Sequence, residues 1–222
     1  MSPPFIVGLG ASAGGIEALR EFFHHVPPDS GSAYVVILHL SPDHDSMLAQ
    51  VLQNSATIPV TQVQTQVTIE PNHVYVVPPN QVLSVDHHSI AVAEITRPEQ
   101  RRAPVDLFFR SLADAQGSRA ACVILSGTGP NGSSGLKRIK EYGGLVVAQD
   151  PEEAQHGDMP RNAIATGLVD FVLPVAEIPA RIHAFHERMR QGADEPQSES
   201  DEPVDGDAIR DILTVLRVRT GH

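Results

Sequence analysis

Residues 5–15 read Phe5-Ile6-Val7-Gly8-Leu9-Gly10-Ala11-Ser12-Ala13-Gly14-Gly15, and the rest of the chain is read outward from them. An apolar run of strand length (residues 5–9) passes into a glycine-rich turn, and a segment of helical period opens at about Gly15. The same grammar follows at once, with a strand over residues 33–39 and a helix from about Ser46. It returns as a strand at 121–125 before a helix over 136–142, a strand at 145–148 before a short helix after Pro160, and a strand at 171–173 before a helix from Glu177. Strands that alternate with helices run parallel, because each crossover carries the chain back over the sheet. The expected class is α/β: an open, mostly parallel, doubly wound sheet with helices on both faces. Residues 74–77, 81–85 and 89–93 are short apolar runs with no room for a helix between them, so a small antiparallel excursion is expected there.

The chain has 222 residues, 41% of them hydrophobic, enough for one domain with a sizeable core. Its formal charge of −11 disfavours non-specific binding to nucleic acid or an anionic membrane, since phosphates repel such a surface. That charge is concentrated. Residues 191–207 hold seven acids and no Lys or Arg, which leaves only −4 on the rest of the chain. The organisation expected is a catalytic-type domain over 1–190, an acidic disordered linker over 191–206, and an amphipathic helix over 207–222. No apolar run approaches the ~18 residues of a membrane span, the N-terminus has no basic leader, and the lone Cys122 sits in an apolar run as a buried hydrophobe. The chain therefore reads as cytoplasmic, with no nucleic-acid partner, membrane insertion or cofactor.

Gly10-Ala11-Ser12-Ala13-Gly14 is a G-x-S-x-G sequence between a strand and a helix, the context that presents a serine hydroxyl beside free helix N-terminal N–H groups. Three other readings compete with it. Ser12 could serve only as a helix cap. Gly8-Leu9-Gly10-Ala11-Ser12-Ala13 also satisfies G-x-G-x-x-A, the dinucleotide pattern, yet that pattern expects an acid at the end of the second strand, where His39 stands instead. Third, His39, Asp43, His44 and Asp45 are metal-ligand types, but Pro42 breaks their register and no second cluster exists, so no metal is expected. Neighbouring parallel strands end at one edge of the sheet, so a serine base is the use of His39 that fits best. His183 and His186, three apart on the last long helix, read as a solvated face, and His24-His25 and His87-His88 as helix-end or loop residues.

Three segments together resemble the catalytic domain of the CheB-type chemotaxis receptor methylesterases (protein-glutamate methylesterase/glutamine deamidase). They are residues 7–15 (VGLGASAGG), 37–42 (ILHLSP) and 125–132 (LSGTGPNG), joined in order by 72–78 (NHVYVVP), 105–109 (VDLFF) and 157–164 (GDMPRNAI). The resemblance implies hydrolysis of glutamate γ-methyl esters on a methylated chemoreceptor. It makes Ser12 the nucleophile and His39 its base, sets Asn131 at the place of the triad aspartate, and puts Ala13, Thr128, Gly129 and Met159 around the oxyanion. The family's receiver domain has no counterpart before Phe5, and residues 209–222 resemble the opening helix of a receptor methyltransferase, which implies a covalently linked methyltransferase domain. Asn131 is a departure. An amide can orient an imidazole but carries no charge to offset the imidazolium, and the Asp-to-Asn change costs a serine protease about 10⁴ in kcat. Weakened hydrolysis is expected, or a docking module that no longer hydrolyses, unless Asp43, Asp45 or Asp150 substitutes.

Overall fold

The computed structural model describes residues 4–38, 47–78 and 81–194. Strand β1 (Phe5–Ala11) leads to helix α1 (Gly15–His24), β2 (Ser32–Leu38), α2 (Leu48–Gln53), β3 (Val60–Gln62), β4 (Val67–Thr68), β5 (His73–Val76), β6 (Gln81–Val85) and β7 (Ser89–Glu94). Helices α3 (Pro98–Arg102) and α4 (Pro104–Gln116) precede β8 (Ala120–Ile124), α5 (Leu136–Glu141), β9 (Leu145–Gln149), α6 (Asp158–Ala165), β10 (Phe171–Leu173) and α7 (Ile178–Asp194).

Seven strands form one sheet in the order β10-β9-β8-β1-β2-β5-β3, every pair parallel. Alternation along β1 divides the core in two. Phe5, Val7, Leu9 and Ala11 face Leu19, Phe22 and Phe23 of α1, Leu48 and Leu52 of α2, and Ile178 and Ile182 of α7. Ile6 faces the other way, toward Val105, Phe108, Phe109 and Leu112 of α4, Leu136 and Ile139 of α5, and Met159 and Ala163 of α6. The doubly wound expectation is met.

The small antiparallel sheet exists in the order β4-β7-β6, but its membership differs from the expectation. Residues 73–76 are not part of it; β5 is a buried strand of the main sheet, parallel to β2 and β3. Length and flanking prolines made it look like a hairpin arm, whereas its pairing partners are set by a distant β2 that no local pattern reveals. The two-residue β4 takes its place beside β7. Helix α4, for which no expectation was formed, joins the two sheets. Its apolar side meets β1 so closely that a Cβ on Gly10 would stand 2.4 Å from Val105 Cγ1. From the same helix Ser111 Oγ accepts the Val85 N–H (2.8 Å) and Gln116 Nε2 donates to His87 O (3.1 Å), fastening β6 and its turn.

One further expectation is corrected. His186 is not on a solvated face: its ring stacks on Phe5 at 4.7 Å and 13°, and its Nδ1 lies 3.3 Å from Ser32 Oγ. His183 is half-buried beside it, its Nδ1 enclosed without a partner among the described residues. Helix α7 continues to Asp194, into the stretch expected to be linker; residues 195–222, including the expected terminal helix, lie outside the described residues. Cys122 is fully buried, as expected. No helix among the described residues is long and apolar enough to cross a membrane.

Candidate active site

Strand order fixes where a site can form. From β1 the chain moves to one side of the sheet (β2, β5, β3), and from β8 it moves to the other (β9, β10), so the winding reverses between β1 and β8. Crevices open beyond the carboxyl ends of strands at such a reversal. Ser12 is the first residue past β1 and stands in that place. Its N–H donates to Ser126 O (3.0 Å) just beyond β8, one step after Leu125 N–H donates to Gly10 O (2.9 Å).

The turn then tightens. Gly15 N–H returns to Ser12 O (2.9 Å), and Gly14 takes φ +69°, a left-handed conformation that side chains with a Cβ resist. The helix cap at Gly14 involves no side chain, and among the described residues nothing engages the Ser12 hydroxyl in a hydrogen bond. The capping alternative for Ser12 is therefore not what the chain adopts. The N–H groups of Ala13 and Gly14 take no backbone partner among the described residues, leaving donors at the start of α1 beside the hydroxyl.

The opposing wall is the segment after β8. A Cβ on Gly127 would stand 3.0 Å from Ser12 Cβ and 2.6 Å from Met159 Sδ, so only glycine lets these three meet. Met159, fully buried in the first turn of α6, donates its N–H to Gly127 O (3.0 Å). Thr128 is exposed; Gly129, at φ +80°, accepts from Asn162 Nδ2 at 3.2 Å. Asn131 follows in a turn anchored where Asp106, at the head of α4, accepts the Gly135 N–H (2.8 Å). Both amide atoms of Asn131 are buried, and neither has a hydrogen-bond partner among the described residues.

The structure thus gathers Ser12 and Met159 around Gly127, ties Ala13 to the neighbouring Ser126, and sets Thr128, Gly129 and Asn131 along the adjoining loop. Strand β2 ends at Leu38, paired with Ala11, so both strands reach the crevice at one level. His39 itself lies outside the described residues, as do Asp43, His44 and Asp45. Asp150 follows β9, two strands from β1, and its Oδ1 accepts the Glu152 N–H (2.9 Å) of its own turn. Among the described residues no group of three His, Cys, Asp or Glu side chains could hold a metal ion.

Sequence reasoning assigned no part to Ser126, Gln149 or His156. Ser126 is 1% exposed and Gln149 3%. The Ser126 N–H donates to Gln149 Oε1 (2.8 Å), its Oγ donates to Ala13 O (2.9 Å), and it accepts the His156 N–H (3.0 Å). The available signal was Gln149: a polar residue closing an otherwise apolar strand at the edge where sites form.

A family model described as CheB methylesterase matches residues 7–182. The chain is 33% identical over 186 residues to a protein-glutamate methylesterase/protein-glutamine glutaminase of Geobacter metallireducens, covering 82% of this chain and 51% of that one, so it spans about half the length of that relative. It is 34% identical over 170 residues to a 104.1 kDa protein of Rhodobacter capsulatus, of which it covers 17%, against 73% of its own length. Among solved structures it matches the Thermotoga maritima CheB methylesterase catalytic domain with a TM-score of 0.76 and 28% identity, covering 83% of this chain and 99% of that one. The glycine-framed serine at the sheet's point of reversal, the extent of the model match and the shared fold together place the chain in the CheB methylesterase family.

Proposed function

We propose that this domain hydrolyses the γ-methyl ester of a glutamate side chain on a methylated chemoreceptor, with Ser12 as nucleophile, and that it can release ammonia from a glutamine at the same place. The observation that carries the reading is the position of Ser12 at the crevice between β1 and β8: among the described residues its hydroxyl is unengaged and the N–H of Ala13 beside it has no partner. Ser12 Oγ attacks the ester carbonyl while the imidazole of His39 takes its proton. The developing oxyanion is met by N–H groups at Ala13 and on the Thr128–Gly129 side, the kind of fixed donors worth about 10²–10³ in kcat each. Collapse breaks the ester C–O bond and the imidazolium protonates the departing methoxide to methanol. Water, giving its proton to the same imidazole, then splits the acyl-enzyme into the glutamate carboxylate and free Ser12.

Asn131 supports slow turnover, because the amide can orient His39 without compensating its charge. The same residue favours a second reading, a docking module beside a covalently linked methyltransferase in the cytoplasm, to which the resemblance of residues 209–222 lends support. Incubation with a serine-directed phosphonate followed by mass spectrometry should place the label on Ser12, and methylated receptor should yield methanol that disappears in Ser12→Ala. A docking module releases none at any protein concentration; labelling elsewhere than Ser12 removes it as nucleophile.

A further inference from the structure

From the bonds that surround the nucleophile we infer that Ser126 is a positioning residue for the oxyanion donor at Ala13, an assignment that rests on the proposed role of Ser12. Ser126 grips the chain on both sides of one peptide unit. Its carbonyl holds the Ser12 N–H, which belongs to the preceding peptide, and its hydroxyl holds the Ala13 carbonyl, which belongs to the following one. The peptide between them is planar and can turn only by rotation about its two flanking Cα atoms. The Ser12 carbonyl that this peptide carries accepts the Gly15 N–H (2.9 Å), which resists its turning, and Ser126 fixes the peptides, and so the Cα positions, on either side. The N–H it carries is that of Ala13, which has no backbone partner among the described residues.

Ser126 is itself held. Its hydroxyl donates to Ala13 O (2.9 Å), with His156 O a longer alternative acceptor at 3.5 Å, while the same oxygen accepts the His156 N–H. Its own N–H is held by Gln149 Oε1, and Gln149 Nε2 lies 3.3 Å from Glu153 Oε2, which also accepts the Val175 N–H (2.8 Å). The chain of bonds runs from the far side of β9 to the nucleophile's turn without a solvent-facing link at Ser126. An oxyanion donor is effective only within a few tenths of an ångström of its ideal place, so loosening the clamp costs rate rather than binding.

Saturation kinetics of an aryl phosphonate at Ser12 give the test, comparing wild type, Ser126→Ala and Ser126→Thr after thermal melting shows each is folded. Ser126→Ala should lower the limiting inactivation rate at least tenfold, leave the half-saturating concentration within threefold and leave the midpoint of the pH profile in place. Ser126→Thr, which retains the hydroxyl, should return to within threefold of wild type. A limiting rate in Ser126→Ala within twofold of wild type, a change in half-saturation alone, or equal losses in a folded Ser126→Thr overturns the assignment while leaving Ser12 as nucleophile. Absence of label on wild-type Ser12 overturns the proposed function, and this assignment with it.

Discussion

Replacing Asn131 by Asp changes one amide for one carboxylate at a place where no described residue hydrogen-bonds the amide. Where a serine protease suffers the reverse change the loss is about 10⁴ in kcat, or roughly 5 kcal/mol of barrier at ~1.4 kcal/mol per decade. That is a ceiling here, since a wild-type loop shaped around an amide need not seat a carboxylate ideally; we expect Asn131→Asp to raise kcat at least tenfold. The substitution also has a cost. Both polar atoms of residue 131 are buried, so a carboxylate there is stripped of water, at an expense above about 1–3 kcal/mol that its bond to the imidazole offsets only in part. For a domain of this size each kcal/mol moves Tm by roughly 2–4 °C. The expected variant is therefore faster and less heat-stable together. Methanol release from methylated receptor gives the rate and calorimetry gives Tm. An unchanged rate in a folded Asn131→Asp protein refutes the placement of Asn131 against the imidazole.

Gly14→Ala puts a Cβ at φ +69°, within 2.8 Å of Ser126 Oγ and 2.7 Å of Gln155 Oε1, which strains the turn by about 1–2 kcal/mol; phosphonate labelling of Ser12 should slow more than tenfold with a modest fall in Tm. Phe109→Ala empties the space between α4 and β1 and should cost 3–5 kcal/mol in denaturant unfolding, in the range of ~3–5 found for buried Phe truncation. Burial holds the His186 imidazole below its ordinary pKa, outweighing the Ser30 backbone contact that raises it. A histidine kept neutral in the fold lends stability above its unfolded pKa of about 6.5 and loses it as pH falls through the folded value; His186→Phe should flatten the acid-side decline of Tm. Burial also pushes the Cys122 thiol upward, so iodoacetamide should leave it unmodified in the native protein and alkylate it fully in denaturant.

Much of this fold was legible in the residues because the central strands are buried on both faces and read as unbroken apolar runs. β1, β2, β8 and β9 lie where such runs fall. Helix α4 was equally legible and was missed: Val105, Phe108, Phe109, Leu112 and Ala113 recur at three and four behind a proline at the first turn, but the segment was read for motif and not for period. β5 was misassigned for a different reason, since its parallel partners are chosen by long-range pairing. In the site, Ser12 and the Gly127 wall follow from local glycine patterns, whereas Ser126 gains its part only through partners more than twenty residues away on either side. The stacking of His186 on Phe5 joins the two ends of the folded domain, and no helical wheel contains that information.

The crevice between β1 and β8 is laced together chiefly by peptide groups: Ser12 to Ser126, Leu125 to Gly10, Gly127 to His156 and Met159 to Gly127. Backbone is what substitution leaves untouched. The contour of the cleft can accordingly outlast a change in the side chains inside it, and a domain built this way keeps the same outline for whatever docks there.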